Sequence, residues 1–446
     1  MPTCARRFRI FLFAFFFACG PTDENSRTGC DLSSDLYYSA ISPSLGPAGT
    51  RVRVTGNGFD PQDTQVIFDA TPVPLVSLAA NHADFLVPEG AYSDEVKVLV
   101  DGKPLKPESA TGFLSTTSKT LPLYFTVLKR DDEPWLKVST GLARACGIKA
   151  SGMLYCWGQR NSQLAKASSV GEASFFPSAV SRDTGWTELS VSESSLCALK
   201  QGELWCQNGD WNVDPRSFEQ IGLEANWVTV STSGSEVCAI KQAGQLSCLS
   251  QGATPVTQPQ VDGSWKRISV AGDTMCGIKK TDDSLWCWGN NADKMADPTT
   301  SSETVTAPVQ IGSTSNWVEV AHSCALNDNG ELWCWGGPYS QNQPTTPVAA
   351  DAAEVPGADG GFPDWSSISV NRSSSRIQLC GITKGQELTC LIDGSMRSLD
   401  LVSRWQSVSV GEQSACAIKL DGSLWCWGDG SSPVEVTYVT VPPPLP

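Results

Sequence analysis

Between Thr50 and Thr55 the chain reads Thr50-Arg51-Val52-Arg53-Val54-Thr55, polar and apolar by turns. That period of two puts one face of a β-strand in a core and the other in water. Gly56-Asn57-Gly58 interrupts it, and Val66-Ile67-Phe68, Phe85-Leu86-Val87 and Val96-Lys97-Val98-Leu99-Val100 follow as further short strands. Short strands at such intervals, broken by turn residues, predict a β-sandwich over residues 41–129. After Pro134 the pattern becomes periodic. Units open at Trp135, Trp186, Trp227, Trp265, Trp317, Trp365 and Trp405 and continue into a strand of small residues and valine, such as Leu189-Ser190-Val191-Ser192. Each then shows a cysteine, a short polar turn and a second cysteine. Seven strand-built units at a period of roughly 36–56 residues predict a β-propeller over residues 133–440, each unit one small sheet. The fold class is all-β.

The cysteines sharpen this picture. Fourteen of the 17 fall into the pairs Cys146/Cys156, Cys197/Cys206, Cys238/Cys248, Cys276/Cys287, Cys324/Cys334, Cys380/Cys390 and Cys416/Cys426. In the first unit Ala150-Ser151-Gly152 makes a three-residue hairpin loop with Gly152 supplying a positive φ. Counting outward from Ser151 sets Cys146 opposite Cys156 on neighbouring strands, within disulfide reach. Ile148 and Leu154 share that face, so the bridge is expected to be buried. Cys276/Cys287 has one extra residue, absorbed by a longer loop through Thr281-Asp282-Asp283, and Cys197/Cys206 has one fewer. One disulfide per blade, at this regularity, implies an oxidising compartment. Zinc is the competing reading for paired cysteines, but no tight C-x-x-C spacing occurs. The last strand, Pro433 to Val439, has no following tryptophan and is expected to circle back and complete the blade of Trp135.

The N-terminus supplies a route to that compartment. Arg6, Arg7 and Arg9 precede an apolar run from Ile10 to Ala18, too short to span a bilayer and suited to a signal peptide over residues 1–18. Phe16-Phe17-Ala18-Cys19-Gly20 resembles the lipobox of bacterial lipoproteins. The resemblance implies lipidation of Cys19 and, because Gly20 is not the aspartate of inner-membrane retention, the outer membrane or cell surface of a Gram-negative bacterium. Ordinary cleavage near Cys19 is the alternative. Residues 19–40 are polar and read as a tether, with Cys30 free or paired between chains, and 441–446 is a Pro-rich tail.

Two further resemblances follow from the residues above. Pro43, Gly46, Gly49-Thr50, Val52, Val54, Gly56, Gly58-Phe59 and Val87-Pro88 resemble the IPT/TIG immunoglobulin-like domain, which implies an immunoglobulin-like sandwich of spacer or adhesive type. The repeated units resemble the regulator-of-chromosome-condensation repeat, whose seven copies form a propeller. His322-Ser323-Cys324-Ala325-Leu326 with Gly330 to Gly336 carries its pattern most fully. Nucleotide exchange and histone binding, known in that family, do not fit an exported chain.

Chemistry is harder to find. The net charge of −15, about −18 once a leader carrying Arg6, Arg7 and Arg9 is removed, disfavours nucleic acid and anionic headgroups. Only His82 and His322 exist, so no histidine triad or metal cluster is assembled, and no catalytic, cofactor or metal residue is assigned. Asp351, Glu354 and Asp359 crowd one insertion, which reads as a solvated acidic loop with calcium ligation as the alternative. Most of the 16 tryptophans sit at repeat positions and read as packing; Trp211 falls outside the register and is the candidate binding contact. Propellers bind through loops, so Gln159–Phe176, Asn290–Ala307 and Gly337–Asp364 are the expected binding surface. The sequence points to a non-enzymatic, lipid-anchored envelope protein that binds an extracellular or envelope protein or glycan and needs no cofactor. An inhibitor of a secreted or envelope enzyme and a propeller-face hydrolase or lyase are the alternatives.

Overall fold

The structure, a computed structural model, describes residues 37–440 apart from positions 61, 182, 235, 401 and 413 and the segments 108–122, 142–143, 159–175, 193–194, 208–217, 251–262, 337–347, 350–363, 373–376, 393–394 and 429–432. The leader with Cys19, the tether as far as residue 36 with Cys30, and the tail 441–446 lie outside the described residues. The sandwich begins earlier than its sequence boundary. Its first strand, Tyr37–Ser42, starts within the stretch read as tether. That strand lies beside Arg51–Asn57, followed by His82–Leu86 and Leu75–Ala79 in one sheet; Lys97–Val100, Thr64–Phe68 and Thr71–Val73 form the other. Val52 and Val54 are fully buried among Phe68, Phe85 and Phe125, while Arg51 and Arg53 point outward, as the period of two requires. The outward arginines both clamp the buried carboxylate of Asp84, Arg51 at 2.7 Å and Arg53 at 2.7 Å. Arg53 first, then Arg51, hold that carboxyl well below the usual carboxylate range.

Seven small antiparallel sheets follow in chain order. The first contains Trp135–Thr140, Arg144–Lys149, Leu154–Gly158 and Ser178–Ala179, and the remaining blades repeat the scheme, each opening on its tryptophan. In the third blade three strands are described. The hairpin arithmetic is observed: Cys146 pairs with Cys156, and Gly152 has φ +78°. The nine-residue spacing of the second unit closes on a two-residue turn, with Gln201 at φ +52° and Gly202 at +82°, both positive as a type I′ turn demands.

All seven cysteine pairs are bonded, each between the second and third strands of one blade. Cys146 joins Cys156, Cys197 joins Cys206, Cys238 joins Cys248 and Cys276 joins Cys287 in the first four blades. Cys324 joins Cys334, Cys380 joins Cys390 and Cys416 joins Cys426 in the last three. Their Cα atoms are 4.0–4.1 Å apart throughout, because each pair sits directly opposite across one hairpin. Third-strand Cys156, Cys206, Cys248, Cys287 and Cys390 are buried, whereas Cys334 and Cys426 are half-buried.

The bridges lie on the face that each blade turns to the next. Cys146, Ile148, Leu154 and Cys156 pack against Trp186, Leu189 and Val191 of the second blade. The same face of the seventh blade, through Cys416, Ile418 and Leu424, packs on Trp135, Tyr155 and Trp157 of the first. This packing closes the seven-bladed propeller. A backbone bond repeats at every joint: each opening tryptophan N–H donates to the second-to-third-strand turn of the preceding blade, as Trp186 does to Gly152 at 3.1 Å. Across the closure Trp135 donates to Gly422 at 2.9 Å.

The last strand departs from its sequence reading. Val434–Glu435 pairs with Leu424–Gly428, making it the outer strand of its own blade, just as Ser178–Ala179 is for the first. The strand beginning after Pro433 therefore ends its own unit, and among the described residues no strand is exchanged to close the ring. The segment beyond it does reach the first blade. Tyr438–Thr440 lies between Ser178 and the strand Tyr124–Arg130, which also pairs with Leu45–Pro47 of the sandwich. One continuous eight-stranded sheet thus runs from the first blade into the sandwich.

Candidate functional site in the central channel

The inner strand of each blade is bonded on one edge, to the second strand, and its other edge faces the axis. Gly141 N–H donates to the Arg144 carbonyl at 2.7 Å, which sets the alternation. The amides of Val138 and Thr140 then point to the axis, and their equivalents do so in every blade. A serine four residues after the tryptophan meets the second of these amides in the next blade. Ser139 accepts from Val191, Ser190 from Thr232, Ser231 from Val270, Ser269 from His322, Ser369 from Val410 and Ser409 from Thr140, all at 2.9–3.0 Å. These hydroxyls link six of the seven joints. Each satisfies an inner-strand donor that packing would otherwise leave unpaired.

The fifth joint is built differently. Its serine position is Ala321, and Glu319, two residues nearer the tryptophan, accepts instead from Ile368 N–H of the sixth blade at 3.0 Å. The contact uses Oε2. Burial within the ring pushes the Glu319 carboxyl up to about 7, against the lowering effect of the Ile368 amide and of Arg267 on the neighbouring inner strand. No ion pair joins Glu319 to Arg267 among the described residues. At the same level of the ring stand Lys137 and Glu188, paired at 3.0 Å, then Thr229, Arg267, Ser367 and Ser407. One residue nearer the tryptophan, Leu136, Val228 and Val318 are exposed.

The two rims of the propeller differ. The turns after each second strand and the links to the next blade open at the tryptophan rim. There Leu223 is 97% exposed and Val402 91%, and Leu420 stands beside the Arg404 carbonyl that its N–H reaches. The connections from third to fourth strands leave at the opposite rim. Of the loops expected to bind, Asn290–Ala307 belongs to that rim, whereas Gln159–Phe176 and Gly337–Asp364 lie almost wholly outside the described residues. Within Asn290–Ala307, Asn291 is buried, donating to the Asp297 and Ser302 carbonyls and accepting from the Ala296 and Asp297 amides. The Trp335 indole donates to Met295 O from the next blade. This loop is braced from within rather than left open. Trp211, Asp351, Glu354 and Asp359 fall outside the described residues.

A second repeated feature was absent from the sequence reading. The residue three after the first cysteine is lysine in five units, and its ammonium stacks on the tryptophan opposite: Lys149 on Trp135 at 4.8 Å, Lys241 on Trp227 at 5.0 Å, Lys419 on Trp405 at 4.9 Å. Lys419 also lies 3.8 Å from Trp425, and Lys279 3.7 Å from Trp286. Acids cap several of these from the link before the tryptophan, Asp183 on Lys200 at 2.7 Å and Glu224 on Lys241 at 2.8 Å. The signal was legible as Cys-x-x-Lys, but its meaning depends on a cross-strand register. His322 bonds through its backbone to Ser269 with its ring near Ser323; His82 lies in the sandwich between Asn81 and Ser77. Among the described residues no group of three or more His, Cys, Asp or Glu is placed to hold a metal ion.

Comparison with known families agrees with these two parts. The IPT/TIG domain matches residues 36–118, and the regulator of chromosome condensation (RCC1) repeat matches residues 321–341 and 405–432. The chain carries an IPT/TIG domain and RCC1-type repeats. No curated protein matches it. Among solved structures it is similar to yeast RCC1 (Prp20) bound to Kap60, at 14% identity over 69% of this chain and 74% of that one, TM-score 0.41. Human WBSCR16 aligns at 13% identity over 76% and 90%, TM-score 0.42. The ectodomain of the Physcomitrella patens receptor kinase CR4 aligns at 15% over 67% and 75%, TM-score 0.42. The seven disulfides suit an oxidising extracellular or periplasmic setting.

Proposed function

We propose that this chain is a non-enzymatic scaffold of the bacterial cell envelope, anchored through lipid on Cys19, whose propeller binds a protein partner at the tryptophan rim. The observation that carries the reading is the distribution of exposed apolar side chains. Among the described residues of the propeller, Leu136, Leu223, Val228, Val318, Val402 and Leu420 are exposed and belong to that rim, on inner-strand starts, inter-blade links and one turn, while Val434 is exposed on the outer strand of the last blade. Exposed apolar groups recurring at one rim among the described residues favour a protein interface over glycan stacking, which uses exposed aromatic rings. The sandwich, joined to the first blade by a shared sheet, holds this rim at a set attitude to the tether.

The test is a cross-linking capture from envelope and secreted fractions, using the exported chain and a Leu223→Asp/Val402→Asp variant as baits. One protein recovered stoichiometrically with the first bait and lost with the second is the expected result. Equal recovery with both, or recovery of glycan alone, overturns the rim assignment. If the captured protein is an enzyme whose activity falls on binding, the inhibitor reading replaces the scaffold. Radiolabelled palmitate incorporated into the chain and abolished by Cys19→Ser checks the anchor.

A further inference from the structure

Arg51 and Arg53 stand two residues apart on the strand Arg51–Asn57, so both leave the same face of the sandwich sheet. Asp84 lies opposite Arg53 on the neighbouring strand and anchors the pair. Arg51 donates to Asp84 Oδ2 through Nε at 3.1 Å and Nη2 at 2.7 Å. Arg53 donates through Nε to Oδ1 at 2.7 Å and through Nη2 to Oδ2 at 2.9 Å. Both Nη2 atoms touch one oxygen, which sets the two guanidiniums side by side. Each is held along its Nε side, and neither Nη1 has a hydrogen-bond partner among the described residues. The Asp84 side chain is 1% exposed, whereas those of Arg51 and Arg53 are 54% and 49% exposed. Two fixed forks therefore stand half in solvent over a buried anion that they share.

The register shows what surrounds them. Leu86 lies directly opposite Arg51 and is 45% exposed. Ala40, Ser42 and Thr55 share the face on one side, and Ser77, Ala79 and His82 on the other. Asp84 is the only acid in that set, and its two arginines hold its carboxyl well below the usual carboxylate range. Two guanidiniums against one buried carboxylate leave this face an excess of positive charge, on a chain whose net charge is −15. We propose that the outward face of this sheet receives an acidic side chain of a protein partner. Its carboxylate sits on the free Nη1 edges of Arg51 and Arg53, and an adjoining apolar residue rests on Leu86. A guanidinium already held side-on still presents its end to a second carboxylate, which an ammonium could not do with the same geometry.

The charge balance selects the occupant. Affinity for a polyanion grows with the number of anionic groups neutralised, and two arginines that already share one carboxylate neutralise few. The field of the rest of the chain repels such a ligand as well. A single carboxylate flanked by an apolar side chain meets neither obstacle. Arginine beside an exposed aliphatic residue is also the composition that protein interfaces favour. Asp84 has ordered both guanidiniums in advance, so little side-chain freedom remains to be lost on binding. The surface belongs to the sandwich and does not depend on the partner assigned to the tryptophan rim.

The experiment uses the full exported chain with its arginine side chains isotopically labelled for NMR, and the blocked dipeptide acetyl-leucyl-glutamyl amide as probe. The expected result is a saturable shift of the Arg51 and Arg53 Nε–H signals, with a dissociation constant in roughly the millimolar range for so small a probe. The glutaminyl analogue produces no shift. Leu86→Glu sets a carboxylate across from Arg51, fills the site from within and abolishes probe binding without touching the Asp84 clamp. Leu86→Gln, which removes only the apolar contact, weakens binding severalfold and does not abolish it. Equal shifts with the glutaminyl analogue, or undiminished binding in L86E, overturn the inference. Inorganic phosphate or phosphatidylglycerol vesicles that bind more tightly than the dipeptide overturn the assignment to an acidic side chain. The Leu223→Asp/Val402→Asp variant keeps its dipeptide binding, so this surface and the rim reading fail separately.

Discussion

At the scale of single residues, one carboxyl sets the pH response of the ring. Glu319 is pushed up to about 7 by burial, from an ordinary value near 4.5. An acid whose folded value is raised favours the fold most while it stays protonated. That contribution is intact below about 4.5, declines as pH rises, and is gone above about 7. Glu319→Gln should therefore leave stability unchanged at pH 4 and raise it at pH 8 by about 2 kcal/mol, after allowing for the side chain's partial contact with the channel. Thermal midpoints of the two proteins at both pH values check this; an equal difference at pH 4 and pH 8 refutes it. The repeat pattern made Glu319 look like any other polar position on an alternating strand. Its meaning comes from Ala321, which removes the hydroxyl that serves the other joints.

At the scale of elements, the blade is a local object and the joint is not. Ten residues separate Cys416 from Cys426, so the hairpin brings them together without help from the rest of the chain. Replacing both with serine should cost about 2–3 kcal/mol in the chain-entropy account and lower the guanidinium midpoint accordingly. The serine ring is a weaker and more distributed device. Ser231→Ala strands the Val270 amide between two blades, and a loss of about 1 kcal/mol is expected. Ala321→Ser, which restores a hydroxyl at the fifth joint, should act in the opposite direction. A denaturation series across these variants tests whether the joints share one mechanism; a stabilising S231A would mean that they do not. Five lysines on tryptophan faces add to the same joints, because the capping acids come from the links between blades.

At the scale of the whole molecule, the C-terminal segment connects two domains that the sequence separates. Tyr438–Thr440 is hydrogen-bonded to Tyr124–Arg130 on one side and reaches Ser178 on the other. A chain ending at Thr437 keeps all seven blades, because Val434–Glu435 already completes the last one. Its ring should remain closed through the Trp135–Gly422 and Thr140–Ser409 bonds. What it should lose is the fixed attitude of the sandwich. Limited proteolysis between residues 130 and 135 should accelerate several-fold while the propeller's melting transition stays within a few degrees of the full chain. Collapse of the propeller transition would show instead that the tail closes the ring.

The sequence by itself determined the all-β class, the seven units, the disulfide partners and the buried face of each hairpin, because all of these depend on residues within about a dozen positions of one another. Period two, turn length and cysteine spacing are enough when the contacting partners are that close in the chain. The alternation of Arg51 to Val54 likewise told which residues enter the sandwich core. Tertiary structure alone decided how the ring closes, because the contacts that close it join Thr140 to Ser409 and Trp135 to Gly422 across nearly the whole propeller. It also decided that Asp84 rather than solvent receives Arg51 and Arg53, and that six apolar side chains from separate repeats share one rim. The acidity of Glu319 belongs to the same class: a carboxyl's protonation depends on what encloses it, and the enclosure is made by three inner strands drawn from three different repeats.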